Sequence, residues 1–284
     1  MLVKLDNVQK HYGDFSLSCS IQLEEGHITG IIGANGAGKS TMFKSILGLI
    51  STDGGTVEIL GKEGSKLDTS DKQQIGVVFA DSTFNGSFSI MDITTIMESM
   101  YDNFDKKTYL EKCEKYGLPL KKRIHDFSTG MTAKFKLLTA MSYGAKLLIL
   151  DEPTVGLDSV VRSDLLDEMR EFMEQEGRAI LISSHISSDL EGLCDDLYFL
   201  KDGNILFHED TDVILSDYAI LKVSEEQYQN LDKNHVIYRK KEPFGYMLLT
   251  GNKQYYLDNY REIVAERGSI DDVLLMMAKG ERIQ

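Results

Sequence analysis

The chain has 284 residues, 42% of them hydrophobic, which is enough for one large domain with an appendage and a sizeable core. Its formal charge is −14, from 45 acidic and 31 basic side chains, and this argues against a dedicated binder of nucleic acid or anionic lipid. The three cysteines, Cys19, Cys113 and Cys194, are far apart and show no CxxC spacing, so they read as reduced, buried thiols rather than a metal site or disulfide.

Charged Lys4, Asp6 and Lys10 interrupt the first residues, so no signal peptide is expected there. No apolar run reaches the roughly 18 residues of a membrane span, and a soluble protein is expected.

In chain order, Leu2–Val8 and Phe15–Leu23 alternate apolar and polar residues around a Tyr12-Gly13-Asp14 turn and predict short strands. The apolar run Ile28–Ile32 leads into Gly33-Ala-Asn-Gly-Ala-Gly-Lys-Ser40, and Thr41–Leu49 follows at helical spacing. Gly54–Gly61 reads as a strand pair and Ile75–Phe79 as a buried strand. Helices are expected over Ile90–Phe104, over Lys107–Tyr116 and from about Gly130 to Tyr143. Strands resume at Leu147–Leu150, Ala179–Ser183 and Leu197–Leu200, with a helix near Ser163–Glu176.

Past Ser216, strands are expected at Ala219–Val223, His235–Lys240, Tyr246–Thr250 and Gln254–Leu257, then helices at Asn259–Arg267 and Ser269–Lys279. The fold class is therefore α/β: a mostly parallel sheet, antiparallel strands at the N-terminus, a helical insert over about 82–144, and a small α/β appendage over 216–284.

Strand, glycine-rich loop and helix in that order form a phosphate-binding loop. Gly33, Gly36 and Gly38 let backbone N–H groups wrap a phosphate around Asn35, and Lys39 suits the β- and γ-phosphates. The Ser40 hydroxyl suits Mg²⁺, and Thr41 lies in the first helical turn, where free N–H groups favour an anion. Lys146-Leu-Leu-Ile-Leu-Asp-Glu152 then ends a buried strand in two carboxylates. Asp151 would hold Mg²⁺, through water, and Glu152 would act as general base on the attacking water.

Phe127-Ser-Thr-Gly-Met131, ahead of Asp151 at the start of a helix, separates families. With it, residues 1–215 resemble the ATPase subunits of ABC (ATP-binding cassette) transporters, whose signature reads LSGGQ, with a variant close to LSxGM in bacterial exporters. The resemblance implies a P-loop NTPase (RecA-like) core and a dimer. In it, Ser128 and Gly130 would bind the γ-phosphate of ATP held by the other subunit. Ser128 also suits a helix cap, and the two roles are compatible.

By the same resemblance, Asp158 in Pro153–Asp158 would communicate across the dimer. His185, in Ser183-Ser184-His185, would contact the γ-phosphate and hold the attacking water. Tyr12 resembles the aromatic that stacks on adenine, and a core tyrosine at a strand end is the rival reading. One position departs from the family: Ala80 stands where a metal-holding glutamine belongs, so either Asp81, Ser82 or water takes over that contact or Mg²⁺ has fewer protein contacts here.

The resemblance further implies ATP and Mg²⁺ as cofactors and a separate membrane-spanning permease as partner. The chain would be cytoplasmic, peripheral on the inner face of the cell membrane, and would form a homodimer or a heterodimer with a related ATPase; no nucleic acid is expected. Export of peptide or drug-like compounds is the implied task. Residues near Asp81–Met91, with Phe84 and Phe88, could line the permease groove or belong to the core. Two other classes are compatible with the same motifs: a soluble ABC ATPase in assembly or repair, and a low-turnover regulatory module.

Overall fold

Alternation at the start of the chain folds as a hairpin: β1 (Val3–Tyr12) and β2 (Phe15–Leu23) pair antiparallel, with the turn at Gly13 in the left-handed region. The computed structural model describes residues 1–82, 84–260 and 262–283; Thr83, Arg261 and Gln284 lie outside them, the first two within the expected groove stretch and the expected 259–267 helix.

The wholly buried β3 (Ile28–Ile32) runs into the glycine-rich loop and α1 (Lys39–Ile46). β4 (Gly54–Ile59) pairs with β1, and β5 (Lys62–Glu63) with β4, so the strand pair expected over 54–61 turns at Leu60–Gly61 and its second arm lies beyond. Short α2 (Thr69–Lys72) precedes β6 (Ile75–Val78).

The insert carries α3 (Ile90–Met100), α4 (Lys106–Lys115) and α5 (Thr129–Met141), each started by a capping side chain: Ser89, Asp105 and Ser128. Then come β7 (Leu147–Asp151), α6 (Ser159–Met173), β8 (Ala179–Ser184), α7 (Ser187–Glu191), β9 (Asp196–Lys201) and β10 (Asn204–Asp210).

The ten strands form one sheet in the order β5-β4-β1-β2-β10-β9-β3-β8-β7-β6. From β9 to β6 the strands run parallel, and every residue of β3, β7 and β8 is buried, as expected of strands covered on both faces. The carboxyl ends of β3, β7 and β8 therefore share one edge of the sheet, where ligand sites of such folds lie.

The last quarter of the chain contains α8 (Thr211–Asp217), β11 (Ala219–Val223), α9 (Glu225–Asn230), β12 (Val236–Glu242), β13 (Gly245–Thr250), α10 (Lys253–Asn259), β14 (Val264–Arg267), α11 (Ile270–Lys279) and β15 (Glu281–Arg282). Its strands form an antiparallel sheet in the order β14-β11-β13-β12-β15. Two expectations are corrected here. Gln254–Leu257 is helical, because the Asn252 side chain accepts the Tyr255 N–H at 3.1 Å and starts α10. Val264–Arg267 is a strand rather than the end of a helix, since it pairs along β11.

This sheet is not a free-standing body: Ile270, Val273 and Met276 of α11 share one apolar cluster with Phe135, Leu148 and Ile182 of the larger unit. The thiols of Cys19 and Cys113 are buried and free, and burial pushes both up to about 12. Phe135 is fully buried and holds Phe84 edge-on at 4.8 Å and Phe127 at 6.1 Å. Phe135→Ala should cost about 3–5 kcal/mol of stability by opening a cavity behind the start of α5, measurable by urea denaturation. A loss under about 1 kcal/mol would mean that this cluster collapses freely.

Candidate functional site

The glycine-rich loop has the conformation its sequence demands. Gly36 and Gly38 have φ of +82° and +112°, where L side chains are strained. A Cβ at Gly33 would run into the Leu200 carbonyl, and one at Gly38 would come 2.9 Å from the Phe15 ring. Gly38 caps α1 without a side-chain bond, so the first N–H groups of that helix face the loop. The loop walls a cavity of about 270 Å³ with Phe15, Lys39, Ser40, Thr41 and Glu152.

Lys39 is nearly buried, and its Nζ donates to the Gly33 carbonyl at 2.6 Å and the Ala34 carbonyl at 3.3 Å. Its ammonium also pairs with Glu152 Oε1 at 2.9 Å. That oxygen is buried and accepts no hydrogen bond among the described residues, so the ion pair alone compensates it. Glu152 Oε2 lies 2.8 Å from His185 Nδ1 and 3.3 Å from the His185 N–H. Glu152 is thus gripped from two sides at the mouth of the cavity.

Asp151, at the end of β7, is buried and accepts from Ser40 Oγ at 2.6 Å through Oδ2 and from Ser183 Oγ at 2.6 Å through Oδ1. The residues present fit both expected groups. Loop N–H groups and an ammonium suit phosphates. A carboxylate and a hydroxyl with oxygens 2.6 Å apart suit Mg²⁺, a hard cation that takes few protein oxygens and keeps water for the rest.

A family model described as ABC transporter matches residues 17–155. ABC transporter ATP-binding protein YtrB of Bacillus subtilis is 31% identical over 212 residues, covering 75% of this chain and 72% of that protein. Lantibiotic transport ATP-binding protein SrtF of Streptococcus pyogenes is 30% identical over 247 residues, covering 84% of this chain and 100% of that protein. The chain belongs to the ATP-binding subunits of ABC transporters. A dimeric ATP-binding cassette solved with ADP and Pi shares the fold, with a TM-score of 0.66 at 21% identity over 74% of this chain and 99% of its own.

In this ABC-type ATPase the remaining motif residues are not part of that cavity's lining. Ser128 is exposed at the start of α5, where its Oγ accepts the Met131 N–H at 3.2 Å. Gly130 lies against Val161, which a Cβ would approach to 3.1 Å, so the first turns of α5 and α6 are in contact. Asp158 caps α6 by accepting the Val160 and Val161 N–H groups, both at 3.0 Å. Tyr12 is exposed at the end of β1, under the Lys10 ammonium at 5.1 Å. The aromatic that lines the loop cavity is Phe15.

Ala80 is exposed on a cleft shared by Phe127, Thr129, Lys136, Asp151 and Glu152, and burial lowers the affinity of Lys136 for its proton. Asp81 turns outward toward Lys44 at 3.7 Å, and Ser82 Oγ donates to the Phe79 carbonyl at 2.8 Å. Phe84 and Phe88 are half-buried against the core. Sequence reasoning gave no role to Phe15 or Ser183; the inward alternation of β2 was a signal for the first, whereas the second depends on strand register. No helix among the described residues is long and apolar enough to cross a membrane.

Proposed function

We propose that this ATPase subunit closes on ATP as a dimer and powers a separate membrane-spanning permease, an exporter of peptide or drug-like compounds, from the inner face of the cell membrane. The observation that carries this reading is that the signature serine lies exposed while Lys39, Glu152 and His185 are joined to one another beside the loop, which fits one half of a shared site. Lys39 and Glu152 line the loop cavity, with His185 bonded to Glu152, while Ser128, with a helix N-terminus behind it, is exposed. A second subunit, identical or related, would supply its Ser128 and Gly130 to the γ-phosphate. The dimeric cassette solved with ADP and Pi supports such an arrangement, and the name of the lantibiotic transport relative supports a role in transport.

Glu152 acts as general base: it takes a proton from water as the water oxygen bonds to the γ-phosphorus. The bond to the bridging oxygen breaks, releasing ADP and Pi. Lys39 and the loop N–H groups hold the phosphates, and His185 orients Glu152 and the water. Asp158 communicates between the two sites, and Tyr12 stacks on the adenine. Mg²⁺, held by Ser40 and by Asp151 through water, would neutralise phosphate charge. The division into a 1–215 ATPase unit and a 216–284 appendage is part of the same reading.

Ser128→Asp tests the composite site without removing the helix cap, since Asp caps as well as Ser. Its carboxylate would face the partner's γ-phosphate, and like charges there cost several kcal/mol. Hydrolysis should fall about 100-fold, with ATP binding to the separate subunit and melting temperature unchanged. Unaltered hydrolysis would refute the shared site. Co-purification of the wild-type chain with a multi-span membrane protein tests the transport role.

A further inference from the structure

One hydroxyl joins both halves of the Asp151–Glu152 pair. Ser183 of β8 lies directly opposite Asp151 of β7 and is fully buried. Its Oγ donates to Asp151 Oδ1 at 2.6 Å and accepts the Glu152 N–H at 3.1 Å. The Ser183 carbonyl accepts the same N–H at 3.1 Å. Since Ser40 takes Oδ2, the two serines divide the carboxylate between them and leave it one orientation.

The backbone at Glu152 also needs support. Its φ is +51°, in the left-handed region that a non-glycine residue enters only under constraint. That turn aims the Glu152 carboxylate back over the loop, toward Lys39 at 2.9 Å and His185 at 2.8 Å. Two bonds from Ser183 to one N–H hold the turn where it leaves the strand.

We infer that Ser183 is a positioning residue for hydrolysis: its hydroxyl keeps one oxygen of Asp151 toward Ser40 and pins the turn that aims Glu152. The inference rests on the roles proposed above for Asp151 and Glu152. A hydroxyl that only filled a buried gap would affect stability and leave turnover and metal affinity alone.

The test uses the full chain with Ser183→Ala, Ser183→Cys and Ser183→Thr. It measures kcat and KM for ATP, melting temperature, and the affinity for Mn²⁺ in the presence of ADP by electron paramagnetic resonance. Loss of a partner that orients a metal ligand typically costs about 10- to 100-fold, so the Ala and Cys variants should lose that much in kcat and in Mn²⁺ affinity, with KM unchanged. Ser183→Thr, which keeps the hydroxyl, should recover both.

Wild-type kcat and Mn²⁺ affinity in either the Ala or the Cys variant would overturn the inference. So would a Thr variant as impaired as Ala at an unchanged melting temperature. If Ser183→Ala does not fold, Ser183→Cys decides, because it fills similar space with only a weak donor. Should Glu152→Gln itself turn over normally, the role of Glu152 fails separately, and Mn²⁺ affinity still reports the hold on Asp151.

Discussion

Glu152→Gln should leave ATP binding intact while steady-state hydrolysis falls by about 100-fold or more, the usual contribution of a positioned general base. The amide has nearly the shape of the carboxylate but no basicity, so the water at the γ-phosphate keeps its proton. Binding survives because the loop N–H groups and Lys39 are untouched, and Lys39 retains the Gly33 carbonyl at 2.6 Å. With hydrolysis blocked, a dimer closed on ATP has no route to reopen and should accumulate. Phosphate release and size-exclusion chromatography with Mg²⁺ and ATP measure both effects. Near-normal turnover would sink the assignment of Glu152, and a monomer at saturating ATP would sink the dimer.

Much of the site was legible in the sequence because it is local. The loop Gly33–Ser40, the Asp151-Glu152 pair and the segment ending in His185 each stand at the end of a buried apolar run, and the sheet brings β3, β7 and β8 side by side. What the spacing could not show is which side chains meet across strands. The Ser183–Asp151 bond needs the β7–β8 register, and a one-residue slip would send the hydroxyl to the other face.

The place of Phe15 in the loop cavity was not legible for a related reason. Tyr12 and Phe15 flank one tight turn, and the fold leaves Tyr12 exposed while Phe15 packs beside Gly38. Near the C-terminus, Gln254–Leu257 is expected as a strand, yet the Asn252 cap and the helix it starts prevail. Short α2, α7 and α9 hold too few turns to leave a periodic trace.

Lys39→Ala should weaken ATP binding by about 100-fold, the equivalent of roughly 3 kcal/mol, near the top of the range for a hydrogen bond to a charged group. Two causes contribute, and they can be separated. One is the lost attraction between the ammonium and the β- and γ-phosphates. The other is Glu152, whose buried Oε1 is compensated among the described residues by Lys39 at 2.9 Å alone; without that ammonium the carboxylate, still held at Oε2 by His185, would turn its negative charge on the phosphates. Removing that charge as well, in Lys39→Ala with Glu152→Gln, should therefore restore part of the affinity lost in the single variant. The coupling is the departure from additivity over the four proteins, read from nucleotide titration. If the double variant binds ATP no better than Lys39→Ala, the Lys39–Glu152 pair does not govern the charge of the cavity, and the first cause stands alone.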